Sequence, residues 1–218
     1  MKQLEIIPLP ENALGDNWGN TGRVLHELCP PVLLDTGAWQ QDNCHLPEVT
    51  VRIGYTRQNL MLRFDVRERE FRAVETGLHA PVWEDSCVEL FIALTEKGGY
   101  YNFEFNSVGA FLLSHGFGRH EREKAPEEIA RETRRESIIR FSSDPRDAYP
   151  YHWQLIAEVP YTTFFKHSFV PRSGTSIRGN FYKCGNKLPH RHYLMWNPIY
   201  TPSPDFHQPD YFGEMIFK

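Results

Sequence analysis

Apolar and polar residues alternate along much of the chain beyond residue 48. Val49, Val51, Ile53 and Tyr55 interleave with Thr50, Arg52 and Gly54, the period-2 signature of a strand with one buried face. Leu60, Leu62, Phe64 and Val66 repeat it after Thr56-Arg57-Gln58-Asn59, so the pair predicts a β-hairpin. A second hairpin is expected from a strand over 86–94, a turn at Glu96-Lys97-Gly98-Gly99 and a returning strand over 100–106. Strand-like runs follow at 110–114, 137–141, 151–159, 177–184, 193–196 and 214–217. Many short strands without long intervening helices predict an all-β fold, a jelly-roll-like antiparallel β-sandwich of two packed sheets forming one domain over 1–218.

Two stretches depart from alternation. Residues 1–47 contain Pro8, Pro10, Pro30, Pro31 and Pro47 and only short apolar runs. They read as an N-terminal strand followed by a loop-rich segment wrapping the core over 1–45, with Trp18 and Trp39 as core plugs or part of a rim. Residues 119–136 carry six Lys/Arg and six Glu, which predicts a short charged helix or loop insertion. Pro126 suits a first helical turn, Glu127 and Glu128 its dipole, and Arg134 and Arg135 the far end. The balanced signs favour a solvated face over a basic binding strip.

Composition agrees with a β-rich core. Of 218 residues, 14% are aromatic, with 16 Pro and 15 Gly to punctuate short segments. A net charge of −4 argues against nucleic acid, which demands a dominant Lys/Arg field. No window approaches ~18 consecutive apolar residues, so no membrane span is expected. The first eight residues break their apolar run with Glu5 and Pro8, unlike a signal peptide. The expected compartment is the cytoplasm, or the periplasm or exterior if an export signal is missing from the sequence. Cys29, Cys44, Cys87 and Cys184 form no CxxC pair and are expected as free thiols. A monomer is expected.

Candidate chemistry sits on the second hairpin. If Val88, Leu90 and Ile92 face the core, Cys87, Glu89 and Phe91 face away; Asn102, Glu104 and Asn106 on the partner strand join them. Carboxylates and carboxamides then share one sheet surface, with Trp83 just upstream. Sugars are bound this way, by aromatic faces over C–H patches and by acids and amides on hydroxyls. An ordinary solvated sheet face fits the same pattern. Glu89 and Glu104 also suggest a glycoside hydrolase pair, two carboxylates on adjacent strands at short separation. His190 and His192 form an HxH, with His207 further on. Imidazoles one residue apart on a strand share a face and suit a transition metal, but no Glu follows where a cupin-like site needs one. Loop hydrogen bonding is the simpler role, and no metal is assigned. No GxSxG, GxGxxG or GxxxxGK[ST] occurs.

The run Val82-Trp83-Glu84-Asp85-Ser86-Cys87-Val88-Glu89-Leu90-Phe91-Ile92 resembles the tryptophan–acid–strand motif of carbohydrate-binding module family 9, a DOMON-like β-sandwich family. Tyr193-Leu194-Met195-Trp196-Asn197-Pro198 through Phe206-His207-Gln208-Pro209-Asp210-Tyr211-Phe212-Gly213-Glu214 is similar to that family's last stretch. Residues 100–106 and 179–185 resemble a stand-alone subgroup typical of gut Bacteroidetes. The resemblance covers about 45–218. It implies a concave sugar site for a mono- or oligosaccharide, in glycan catabolism and without catalysis. Two tryptophans would sandwich a terminal sugar; by motif position these are Trp83 and Trp196. Glu89, Asn102, Glu104, Asn180 and Tyr182 would read its hydroxyls. Sugar-binding members carry a basic residue where Asn102 stands and an amide where Tyr182 stands. No catalytic cofactor is implied, although family modules carry structural calcium. An interaction sandwich that binds no sugar is the third reading.

Overall fold

The computed structural model describes residues 1–11, 17–39 and 46–218. Fourteen strands and two helices are described. Strand β1 (Gln3–Pro8) and helix α1 (Trp18–Leu28) come first, followed by the short strands β2 (Val32–Leu33) and β3 (Thr36–Gly37). The two alternating hairpins follow as β4 (Glu48–Tyr55) with β5 (Asn59–Glu68), and β6 (Cys87–Ala93) with β7 (Tyr100–Asn106). Then come β8 (Phe111–Gly116), β9 (Glu123–Lys124), helix α2 (Glu127–Ala130), β10 (Arg134–Phe141), β11 (Tyr151–Pro160), β12 (Ser176–Cys184), β13 (Tyr193–Met195) and β14 (Gly213–Phe217).

Hydrogen bonds join the strands in the order β10-β11-β5-β4-β1-β14-β12-β6-β7-β8-β9. The surface curls at β1 into two layers. Gln3–Ile6 pair with β14, and Ile7 and Pro8 pair with β4. Both pairings are parallel; among the described residues the other strand pairings are antiparallel. Between the layers lies the core, with Val51, Phe64 and Leu155 from one side meeting Val88, Phe103 and Phe181 from the other. Phe64 and Phe181 touch edge to face across it, with centroids 6.1 Å apart.

Local chemistry explains the hairpins. Val51 opposes Phe64 and Ile53 opposes Leu62, so one alternating set from each strand is buried. The turn before β7 needs Gly99, whose φ is +71° and whose Cβ would lie 2.8 Å from the Gly116 carbonyl oxygen.

Helix α1 was not expected within the N-terminal segment. Asn17 caps it by accepting from the Asn20 N–H, and Leu25 and Cys29 pack with Leu9, Met61 and Ile156 on the outer side of a sheet. Trp18 packs at that cluster, and Trp39 joins another with Phe206 and Tyr211. The charged stretch 119–136 yields only the single turn α2. Its two ends are strand, because β9 pairs with β8 and β10 pairs with β11. Among the described residues, no helix is long and apolar enough to cross a membrane.

Candidate functional site

Strands β6 and β7 set Glu89 directly opposite Glu104. Alternation sends Val88, Leu90, Ile92, Tyr101, Phe103 and Phe105 into the core, which turns Glu89, Asn102 and Glu104 to the other face. There they floor a cavity of about 310 Å³ with Trp83, Arg122, Phe206 and His207 among its walls. Three of the four cysteines fall in the described residues, and all three are free thiols. Two, Cys87 and Cys184, lie against Glu89; Cys44 lies outside the described residues.

Trp83 stands on one turn of 3-10 helix immediately before β6. Val82 beside it is fully buried, and buried Asp85 accepts from the Val74 and Glu75 N–H groups, Asn106 Nδ2 and Arg72. The Trp83 carbonyl accepts from the Asn186 N–H at 3.1 Å. With both neighbours anchored, the indole is left 37% exposed at the cavity wall.

The polar floor is internally bonded. Asn102 Nδ2 donates to Glu104 Oε1 at 2.6 Å. Asn102 Oδ1 accepts from Ser114 Oγ and from Arg122 Nε and Nη2 at 3.0 and 2.8 Å. The Arg122 guanidinium lies 4.3 Å from the Tyr100 ring centroid. Glu104 Oε2 is buried without a hydrogen-bond partner. Burial raises the Glu104 carboxyl to about 7, against Asn102 and Arg122, which favour its ionised form. Burial also raises Glu89 well above the usual carboxylate range, reinforced by Cys184 and by the charge of Glu104. Near neutral pH the floor therefore offers protonated carboxyl donors as well as acceptors.

Aromatic residues form a second wall. Phe206 stacks on Tyr182 at 4.1 Å and 10°, and meets Tyr193 edge to face at 5.9 Å. His207 lines the cavity beside them and approaches Tyr100 Oη at 2.9 Å through Nδ1. Burial lowers its imidazole to about 3, so it is neutral and hydrogen-bonds without charge.

The structure thus brings together Trp83, Glu89, Asn102 and Glu104, and it leaves three expected residues out. Trp196 does not face Trp83 across a cleft. It follows Leu194 by two residues, which returns it to the core face, where it is 5% exposed and packs on Phe181 at 6.1 Å. Gly213 makes room for the ring: a Cβ there would come within 2.5 Å of it. Asn180 and Tyr182 do lie on the Glu89 face, but residues 197–212 cover them. Asn180 is spent on the backbone of Asn197, donating to its carbonyl and accepting from its N–H. Tyr182 Oη donates to the Phe206 carbonyl. Its ring backs the cavity wall instead of meeting a ligand.

Sequence reasoning missed Arg119, Arg122, Tyr193, Asp205 and Phe206. Arg122 was hidden in a charge run that looks solvated, and only the fold of β9 back onto β8 carries it inward. The HxH does not converge with His207. His190 Nδ1 contacts Glu70, while His192 Nε2 sits 2.8 Å from the Lys183 ammonium, a place already held by a cation. Structural calcium wants roughly six to eight oxygen ligands. Among the described residues the one convergent cluster of His, Cys, Asp or Glu side chains is Cys87, Glu89 and Cys184, whose sulfurs do not suit it.

Comparison with known proteins matches the profile of carbohydrate-binding family 9 to residues 27–217. A crystal structure from Bacteroides uniformis, described provisionally as a carbohydrate-binding protein, is 32% identical. It superposes with a TM-score of 0.86, covering 100% of this chain and 99% of that one. A family 9 module from Caldicellulosiruptor kristjanssonii in complex with glucose has a TM-score of 0.59 at 12% identity, covering 100% and 96%. The same organism's module with cellotriose gives 0.58 at 12%, covering 100% and 94%. These two share the fold. No curated protein matches the chain.

Proposed function

The chain belongs to carbohydrate-binding family 9, and we propose that it binds a mono- or oligosaccharide in the Trp83 cavity without chemical turnover, as part of glycan catabolism. The observation that carries this reading is one exposed indole standing over a floor of buried carboxyls and a carboxamide. Trp83 supplies the flat face for sugar C–H groups, with Phe206 and Tyr193 as the apolar wall in place of a second tryptophan. Glu89 and Glu104 take hydroxyls as donors or acceptors, and Asn102 holds Glu104 in place. Stacking plus three or four polar contacts corresponds to roughly micromolar to millimolar affinity. The glucose and cellotriose complexes of structural relatives support a β-glucan fragment as the first ligand to try.

Calorimetric titration with glucose, cellotriose and a glycan panel tests this. Trp83→Ala is expected to weaken binding about tenfold, in keeping with the loss of a stacked ring. Trp196→Ala is expected to cost about 3–5 kcal/mol of folding stability through a core cavity. No binding by wild type to any glycan, or equal binding by Trp83→Ala, overturns the proposal.

A second reading, glycoside hydrolysis, draws on one specific observation: two buried carboxyls directly opposed on adjacent strands, both raised by burial. Glycoside hydrolysis uses such a pair of carboxyls flanking the scissile bond. Turnover of a chromogenic glycoside that disappears in both Glu89→Gln and Glu104→Gln would establish it in place of simple binding.

A further inference from the structure

Beneath the sugar-facing floor lies a second cluster of reactive side chains. Antiparallel pairing of β12 with β6 sets Cys184 directly opposite Cys87, and alternation gives both the same face as Glu89. The Cys184 sulfur lies 3.1 Å from Glu89 Oε1 and the Cys87 sulfur 4.0 Å from it. One ligand atom from each of the three residues falls within 4.8 Å of the others. All three residues are buried, yet Glu89 and Cys184 also line the cavity, so solutes can reach the cluster from it.

Four acidic side chains, Cys87, Cys184, Glu89 and Glu104, are buried together here, with Glu104 Oε2 lacking a hydrogen-bond partner. Arg119, Arg122 and Lys124 line the same cavity, and Lys183 adjoins Cys184 in the chain; Arg122 and Lys183 have partners outside the cluster. Arg122 donates to Asn102 and to the carbonyls of Tyr100 and Gly118, and Lys183 is ion-paired with Glu68 at 2.8 Å. Metal ligation requires the thiols without their protons. A divalent metal would replace those protons.

The donor set selects the metal. Two thiolates and one carboxylate match Zn²⁺, which takes sulfur at about 2.3 Å and oxygen at about 2.0–2.2 Å in a tetrahedron. The same set is poor for calcium or magnesium, which demand oxygen. We propose that Cys87, Cys184 and Glu89 form a zinc-class metal site in the base of the cavity, with the fourth position left for water or a ligand hydroxyl. Binding involves no oxidation: the metal gains two sulfur bonds and one oxygen bond, and the displaced protons pass to solvent.

The full-length protein, reduced and stripped with a chelator, is titrated with Zn²⁺ against a chromophoric chelator and separately with Co²⁺. One equivalent is expected to bind, with proton release and, for cobalt, a thiolate-to-metal charge-transfer band. Cys87→Ser and Cys184→Ser are each expected to weaken Zn²⁺ by at least ~10-fold, the scale on which even outer partners of metal ligands act. Cys29→Ser and Cys44→Ser should behave as wild type. Glu89→Gln keeps both thiols and should weaken binding while retaining the band, which decides the matter if a serine variant fails to fold. Wild type that takes up no stoichiometric metal, shows no charge-transfer band, or is matched by both Cys87→Ser and Cys184→Ser overturns the proposal.

Discussion

Glu104 accepts from Asn102, faces Glu89 across the strand pair, and keeps one oxygen unpartnered in a buried setting. Its carboxyl titrates near 7 in the folded protein, against an ordinary value of 4.5. Between those pH values the folded state holds a proton that the unfolded chain has released. Stability from this residue is therefore full at lower pH and falls as pH rises from about 4.5 to 7. His207 acts oppositely. Its folded value of about 3 lies below 6.5, so the unfolded chain takes up the proton first and stability grows as pH rises through that window. The two effects overlap, so the useful quantity is a difference between variants. Relative to wild type, Glu104→Gln is expected to gain a few kcal/mol as pH goes from about 4.5 to 7, measured by urea unfolding. A constant difference across that range would show that Glu104 titrates normally.

At the scale of elements, the cavity exists because two irregular segments cross a sheet face that would otherwise be open. Residues 197–212 close one end through Phe206, Ile199 and Phe212, which pack on Tyr182, Phe91 and Tyr100. The strap 117–125 closes the other, and Arg122 is its fastener, reaching Asn102, Tyr100 and Gly118. Arg122→Ala is expected to cost about 2–3 kcal/mol, the scale of charge-assisted buried hydrogen bonds. Amide exchange should rise across 117–125 while β6 and β7 keep their protection. Unchanged exchange in the strap would mean that β8–β9 pairing alone holds it. The Trp83 turn needs no such fastener, since Asp85 anchors it through several hydrogen bonds.

Across the whole molecule, the two layers share more than apolar contact. Lys183 on β12 reaches Glu68 on β5 at 2.8 Å, both essentially unexposed, and Trp153 Nε1 donates to the other oxygen of Glu68 at 2.6 Å. His192 closes the group at 2.8 Å from the ammonium. Removing one partner strands the other charge in the core. Lys183→Met is therefore expected to destabilise by about 3–5 kcal/mol, and the double variant Lys183→Met/Glu68→Leu to recover much of that loss. Chemical denaturation of the single and double variants measures the coupling; additive losses would mean that the pair contributes no cross-layer interaction.

The sequence alone determined the longer strands and which face of each hairpin is buried, because side-chain direction along a strand has a fixed period of two; the short strands β2, β3 and β9 it did not show. Alternation around Glu89 and Glu104 was enough to place both carboxyls and Asn102 on one surface, and motif order pointed to Trp83. Tertiary structure decided which part of that surface stays open. Asn180 and Tyr182 lie on the correct face and are lost to it, since whether residues 197–212 lie over them is set by packing far away in the chain. Trp196 is sequestered because parity returns it to the core and Gly213 leaves room for its ring. Arg122 and the Cys87–Cys184 pairing became visible only through contacts between segments separated in sequence. Periodicity is a local property of a strand, whereas a cavity is made by whatever crosses the strand from elsewhere.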